Sequence, residues 1–398
     1  MEKLLSNIKG DKALWAIISL LALFSFVPVY SASSNLAYLY GNGNTIKFLF
    51  KHLVHLGLGF VILYFVHKFS YKYFKALSIV ALPLIAILLL FTLLKGSVIS
   101  GANASRWIRV PVVGISLQPS TLALVVLMTY VSFYMSSLVG KVYSLKATLV
   151  KLWLPVLIVV GLIFPANLST AALIFIMVVL LVFLGGYPIK YLALIGCMCL
   201  IFLAIFYLTV KAFPDAFPNR VDTWISRVEN FVSEEEGGDE NYQVERAKIA
   251  IATGGISGRG PGKSIQRNFL PQSSSDFIYA IIIEEYGLIG GLFLLFLYLF
   301  IFVRFLVISN RCTDVFGKLL VLGLGFPIVF QALINMGVAV ELFPVTGQTL
   351  PLISSGGTSI WMTCLALGMI LSVSAKNEKK TKLREKDINP LDVLSQAQ

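Results

Sequence analysis

The sequence predicts an all-α, polytopic integral membrane protein of about ten transmembrane helices, with one large extracytoplasmic loop between the seventh and eighth. Three observations predict it. The 398 residues are 57% hydrophobic and only 13% charged, against roughly a quarter charged in soluble domains, and the mean hydropathy is +0.85. Apolar runs long enough to cross about 30 Å of hydrocarbon recur along the chain. Lys and Arg concentrate in alternate connecting segments.

The apolar runs lie near residues 13–31, 49–66, 76–95, 118–136, 150–165, 168–185, 189–211, 276–304, 316–340 and 357–375. The first is too long for a signal-peptide core and lacks a clear cleavage site, so it reads as a retained helix. Only Pro165–Asn167 separates the fifth from the sixth, which predicts a tight helical hairpin. With residues 1–12 in the cytoplasm, the inward segments hold Lys3, Lys9 and Lys12; Lys68, Lys72 and Lys75; Lys141, Lys146 and Lys151; Lys190; and Arg304, Arg311 and Lys318. The short outward loops hold only Lys47, Lys95, Arg106 and Arg109. Both termini are therefore expected in the cytoplasm. The chain divides into residues 1–12, helices 1–7 over 13–211, the outward loop 212–275, helices 8–10 over 276–375, and a basic tail 376–398.

The net charge of +12 follows this loop bias and calls for no nucleic-acid partner. The tail cations Lys376, Lys379, Lys380, Lys382, Arg384 and Lys386 are also placed to touch anionic headgroups. Cys197, Cys199, Cys312 and Cys364 lack metal-site spacing, and none falls in an outward loop, so no disulfide framework is expected.

The long loop has internal pattern. Asn219-Arg220-Val221-Asp222 resembles a capping box, and Val221, Trp224, Ile225, Val228 and Phe231 recur at helical spacing, as in a helix lying on the membrane surface. Ser233–Glu240 is an acidic turn. A second helix is expected over Tyr242–Thr253. It leads into Gly254-Gly255-Ile256-Ser257-Gly258-Arg259-Gly260-Pro261-Gly262-Lys263-Ser264. This run is no phosphate loop of the nucleotide-binding kind, because Ser257 stands where the first Gly is required. Two readings stay open: a plain flexible turn, or a cradle in which backbone amides with Arg259, Lys263 and Arg267 hold a pyrophosphate.

Ionisable residues at membrane depth are costly and so mark function. Asp276 stands at the mouth of the eighth span. It is a candidate helix cap, and a carboxylate at the edge of an apolar surface also suits a general base. Glu284 lies roughly 12 Å deeper and about 80° round. With its neighbour Glu285 it is expected to fix contacts between helices, and Glu341 is a packing or substrate residue. His52 and His55 share a helix face without a third ligand, so they read as buried hydrogen-bonding groups and no metal site is expected.

Several blocks together resemble one family. Gly258-Arg259-Gly260-Pro261-Gly262-Lys263-Ser264 leads through Leu270-Pro271 to Ser275-Asp276-Phe277-Ile278 and Glu284-Glu285-Tyr286-Gly287. Arg106-Trp107-Ile108 precedes Gly114 and Gln118-Pro119-Ser120. Asn335-Met336-Gly337 precedes Pro344-Val345-Thr346-Gly347, Leu350-Pro351-Leu352-Ile353-Ser354 and Ser355-Gly356-Gly357. In this order, over nearly the whole chain, they resemble the SEDS family (shape, elongation, division and sporulation).

The resemblance implies a peptidoglycan glycosyltransferase of the FtsW/RodA type, leaning to the division type, that polymerises lipid II at the outer face of the cytoplasmic (inner) membrane. The implied partners are a class B penicillin-binding protein transpeptidase and other divisome proteins, and the implied place is the division septum. The family's catalytic aspartate falls on Asp276. Substrate-binding roles fall on Arg106, Arg259, Lys263 and Arg267, which would stabilise the leaving group, and on Gln118 and Ser355. A divalent cation (Mg or Mn) is the one cofactor candidate. The chain departs from the family where Thr121 and Leu122–Leu124 replace a Glu and a following Lys. Joint loss of an ion pair is physically sensible, but it removes any role for that pair here. Asn167 stands where Asp is common, and Gln272 with Ser273–Ser275 replaces a more polar stretch. A lipid II flippase, an O-antigen-type polymerase and a non-catalytic scaffold for the transpeptidase are the rival readings. The first is disfavoured because the sharpest polar signature sits in the loop rather than at the bilayer midplane.

Overall fold

A computed structural model describes residues 9–34, 44–96, 106–109, 116–141, 144–212, 224, 239–270 and 272–387. The capping box at Asn219, most of the surface helix expected after it and most of the acidic turn lie outside these residues.

The chain forms helices α1 (Lys12–Ala32), α2 (Thr45–Val66) and α3 (Tyr73–Lys95), then a minimal antiparallel pair, β1 (Ile108–Arg109) with β2 (Ser116–Leu117). Next come α4 (Pro119–Ser137), α5 (Leu145–Ile163), α6 (Leu168–Leu184) and α7 (Ile189–Ala212). Helix α8 (Asp239–Gly254) belongs to the long loop, and α9 (Ile278–Arg311), α10 (Val315–Ala339) and α11 (Gly357–Asp387) complete the bundle. Among the described residues nine helices are long and apolar enough to cross a bilayer, and the 17-residue α6 is a shorter tenth. The ten expected runs thus correspond one to one with helices. The basic tail differs from expectation in continuing α11 as helix through Asp387.

Local chemistry sets the helix starts. Asp11 accepts from the Leu14 amide at 2.8 Å, Asn44 from Lys47 at 3.2 Å and Asn167 from Thr170 at 3.2 Å, each covering a backbone donor that a first turn leaves unpaired. Asn167 thereby closes the predicted α5–α6 hairpin. Within α5, Leu149–Trp153 is a π-turn ahead of Pro155. Proline has no N–H for the carbonyl four residues back, and the Tyr130 hydroxyl donates to that Lys151 carbonyl at 2.6 Å.

The core sits around α10 and α11, whose apolar stretches are 72% and 67% buried, whereas that of α7 is 6% buried among the described residues. Helix α2 packs on α11, α3 on α4, and α9 on α10, α8 and α1. Asp11 also pairs with Arg304, so the α1 cap doubles as a tie to the far end of α9. Both histidines are buried, as expected, but the expected hydrogen bond is seen at His52, whose Nε2 meets Ser25 Oγ at 2.8 Å; His55 Nδ1 has no partner among the described residues, and its ring lies against Trp361, 5.3 Å between centroids.

Candidate active site

The site is built on a break in α9. Gly287 adopts φ 69°, ψ −173°, a conformation open essentially to glycine alone. The helical ladder stops there and four backbone groups need partners. The Gly-rich loop supplies them. Arg259 and Gly260 donate to the Glu284 and Glu285 carbonyls at 2.9 Å each, and Leu288 and Ile289 donate to the Gly255 and Ile256 carbonyls at 2.9 and 3.3 Å. The approach is close enough that a Cβ on Gly258 would overlap the Glu285 carbonyl, and one on Gly287 the Ile256 carbonyl.

The same loop solves a charge problem. The Glu284 and Glu285 side chains are fully buried, and buried carboxylates need donors. Glu284 accepts from Ser264 Oγ and from the amides of Ile265 (2.9 Å) and Gln266 (3.2 Å). Glu285 accepts from Ser31 Oγ on α1 and from the amides of Gly262 and Ser264. Arg267 Nη1 donates to Ser31 Oγ at 2.7 Å and to the Gly262 carbonyl at 2.9 Å. This bears on two readings of the sequence. The loop amides do form an anion cradle, but the anions they hold are the protein's own carboxylates. Among the described residues the two glutamates mainly fasten the loop, and Glu285 also joins two helices, as expected, through its bond with Ser31. Arg267 works inside this clasp. Arg259 and Lys263 carry their charges at the exposed rim.

Asp276 lies in the turn 272–277 that precedes α9. It is not the cap: Phe277 holds that position, with no side-chain bond to the first turn. The turn is fixed through three successive carbonyls. The Ser355 amide donates to Ser274 O at 2.8 Å, Ser354 Oγ to Ser275 O at 2.6 Å, and Asn335 Nδ2 to Asp276 O at 2.7 Å. Ser273 Oγ reaches back to Ala32 O at 3.0 Å, one residue from the Ser31 that meets Glu285. The clasp and the Asp276 turn therefore share the end of α1. Asp276 Oδ2 lies beside Gly347, 3.5 Å from where a Cβ on that glycine would stand.

The remaining expected residues gather at the same end of the bundle. Half-buried Arg106 donates from Nε to Ala166 O at 2.8 Å and lines a small cavity with Thr92, Pro119, Ser120 and Asn167. Gln118 precedes α4, and its amide donates to Thr358 Oγ1 at 3.3 Å. Ser355 acts through its amide on the turn. Sequence reasoning assigned nothing to Gln331, Gln348 or Ser31. The signal available was an amide or hydroxyl at an otherwise apolar position. Among the described residues no three His, Cys, Asp or Glu side chains converge on a metal position.

Thr121, at the position of the family's missing glutamate, bonds its own turn through Oγ1 to Gln118 O at 2.8 Å. It lines a small, partly open space within the helical bundle with Gln331, Ser359, Thr363 and apolar neighbours. Among the described residues no cation lines that space, so Thr121→Glu is expected to lower the melting temperature of the purified protein, by burying a carboxylate without a partner. Unchanged melting would mean that solvent reaches the cavity.

The match to known proteins covers nearly the whole chain. The family model of the cell cycle proteins FtsW, RodA and SpoVE matches residues 11–379. A relative from Enterococcus hirae, curated as "Probable peptidoglycan glycosyltransferase FtsW", is 30% identical over 94% of this chain and 94% of its own. One of the same name from Bacillus subtilis is 29% identical over 93% of each. Among solved structures, a chain from a peptidoglycan synthase complex that coordinates polymerisation and crosslinking superposes with a TM-score of 0.70 at 24% identity, covering 92% of this chain and 98% of that one. Thermus thermophilus RodA gives 0.66 at 24% identity, with 92% and 97% covered. The family match runs from residue 11 to residue 379 and so spans the loop, the break in α9 and the Asp276 turn, and the chain belongs to the FtsW/RodA/SpoVE family of cell cycle proteins.

Proposed function

We propose that this chain is a peptidoglycan glycosyltransferase that polymerises lipid II, with Asp276 as the general base. The observation that carries the reading is the Asp276 turn, held at three successive carbonyls beside a loop whose rim presents Arg259 and Lys263. Asp276 takes the proton from the 4-hydroxyl of the acceptor GlcNAc. That oxygen attacks the anomeric carbon of the donor MurNAc as the bond to undecaprenyl pyrophosphate breaks, so the centre inverts. Arg106, Arg259 and Lys263 balance the charge that builds on the leaving group. Arg267 acts one step back, by holding the loop. Gln118 and Ser355 shape the site through the starts of α4 and α11. A divalent cation would sit chiefly on the substrate's own phosphates, the pattern favoured by magnesium, and EDTA dialysis followed by Mg or Mn add-back tests that role.

The Lys and Arg bias of the loops supports an orientation with both termini in the cytoplasm and residues 212–275 outside. There the chain would meet lipid II and a class B penicillin-binding protein. Its FtsW-named relatives favour work at the division septum with other divisome proteins.

The test is polymerisation of purified lipid II by the protein with its class B partner. Arg259→Ala and Lys263→Ala are each expected to lower turnover about tenfold, the size expected from one rim cation that stabilises the departing pyrophosphate. Normal turnover by both variants would remove the loop cations from the mechanism and leave Arg106 as the charge on the leaving group.

A further inference from the structure

The structure ties the Asp276 backbone to Arg106 by a relay of side-chain and backbone groups, and Asn335 is its hub. Asn335 lies on α10 and is 1% exposed. Its Nδ2 donates to Asp276 O and to Gln348 O, both at 2.7 Å. Two carbonyl partners can only face a donor, so the amide orientation is determined. Gln348 Nε2 in turn donates to Thr170 Oγ1 at 2.9 Å. The Thr170 amide donates to Asn167 Oδ1 at 3.2 Å, and Ala166, next in the chain, accepts Arg106 Nε at 2.8 Å. Nearby, Gln331 Nε2 holds Thr349 O at 2.8 Å, which steadies the segment that carries Gln348.

Asn335 Oδ1 has no partner among the described residues although it is buried. An unpaired buried acceptor costs stability, and an apolar side chain of this size would avoid it. The amide is therefore explained by what Nδ2 does for the two carbonyls, not by packing.

We propose that Asn335 is a positioning residue that makes the Asp276 turn and the segment before α6 that holds Arg106 one rigid unit. The inference rests on the reading of Asp276 as the base. In a single displacement the attacking and departing oxygens lie on opposite sides of one carbon. The group that takes the proton and the cation that meets the pyrophosphate must then keep a fixed separation. Misplacement by about 1 Å can cost on the order of 100-fold in rate.

The experiment is steady-state lipid II polymerisation by the full chain with its class B partner, read as kcat and KM, with thermal melting measured on each variant. Asn335→Asp keeps the shape and removes the donor, so an oxygen faces two carbonyls. It is expected to lower kcat about 10- to 100-fold with KM within about twofold. Thr170→Val removes the far link without changing shape and is expected to lower kcat several-fold. Thr170→Ser keeps the hydroxyl but loses a methyl, and is expected to be several-fold faster than Thr170→Val. If packing were the role of Thr170, the serine variant would be the slower of the two. Asn335→Asp or Thr170→Val with wild-type kcat, or a loss confined to KM, overturns the proposal. If Asn335→Asp does not fold, the Thr170 pair decides alone. Wild-type activity in Asp276→Asn would instead overturn the assignment of the base, and the relay with it. An inactive Asp276→Asn beside fully active Asn335→Asp and Thr170→Val would overturn the relay only.

Discussion

Asp276→Asn is expected to abolish glycan polymerisation and leave the fold intact. The amide has the size of the carboxylate and cannot take a proton. General-base assistance contributes on the order of 10²- to 10⁴-fold, which would put product below detection in a gel assay of lipid II polymerisation. The backbone bonds that hold the turn use the carbonyls of residues 274–276 and survive the change. The α9 cap is Phe277, so no helix start is lost. Melting temperature and co-purification with the class B transpeptidase should match wild type. Equal product from the two proteins would place the proton acceptor elsewhere.

Among the described glycines, Gly287→Ala is expected to be one of the most damaging single-methyl additions. Its conformation costs a non-glycine residue roughly 1–3 kcal/mol. The new Cβ would also overlap the Ile256 carbonyl, which is the acceptor for the Ile289 amide. Relief requires the loop to lift from α9. That strips the Arg259 and Gly260 amides from their carbonyls and loosens the donors around Glu284 and Glu285. A total of roughly 3–5 kcal/mol falls among the largest single-residue effects, and it should appear as loss of monodisperse protein after detergent extraction. Gly255→Ala is the control. Gly255 also has a positive φ, of 56°, but a Cβ there meets nothing within 4 Å, so only the left-handed penalty of about 1–2 kcal/mol remains. Equal behaviour of the two variants would show that the loop is not clamped at Gly287.

Legibility in the sequence followed the physics of lipid. A helix that must span hydrocarbon announces itself by length and apolarity, so all ten runs were readable, and Asn167 fixed the α5–α6 hairpin at the expected place. Where the alternative to lipid was another part of the protein, reading failed. Gly287 looks like any glycine in a transmembrane helix until the loop at 254–260 is seen against it. The loop amides looked available to a ligand because nothing in their own segment shows that Glu284 and Glu285, some twenty residues on, consume them. Asp276 reads as the first residue of the eighth span and a candidate cap, whereas it lies in the turn before the helix and the cap position is its neighbour's. Asn335 lay inside a quoted block without a role, since the carbonyl it holds comes from a segment 59 residues earlier.

The clasp also has a consequence for how the chain is made. A helix carrying two adjacent glutamates is poorly soluble in lipid, at up to about 2.5–3.5 kcal/mol for each acidic side chain near mid-membrane. Helix α9 cannot spread that burden over its own residues. Ser264, within the long loop, is synthesised just before it, but Ser31 comes from the first helix, 254 residues upstream. The first helix must therefore stay near the insertion site, unpartnered at that end, until α9 emerges. The order of assembly in the membrane is then not the order of synthesis: the N-terminal helix completes its packing only when the eighth span arrives to claim it.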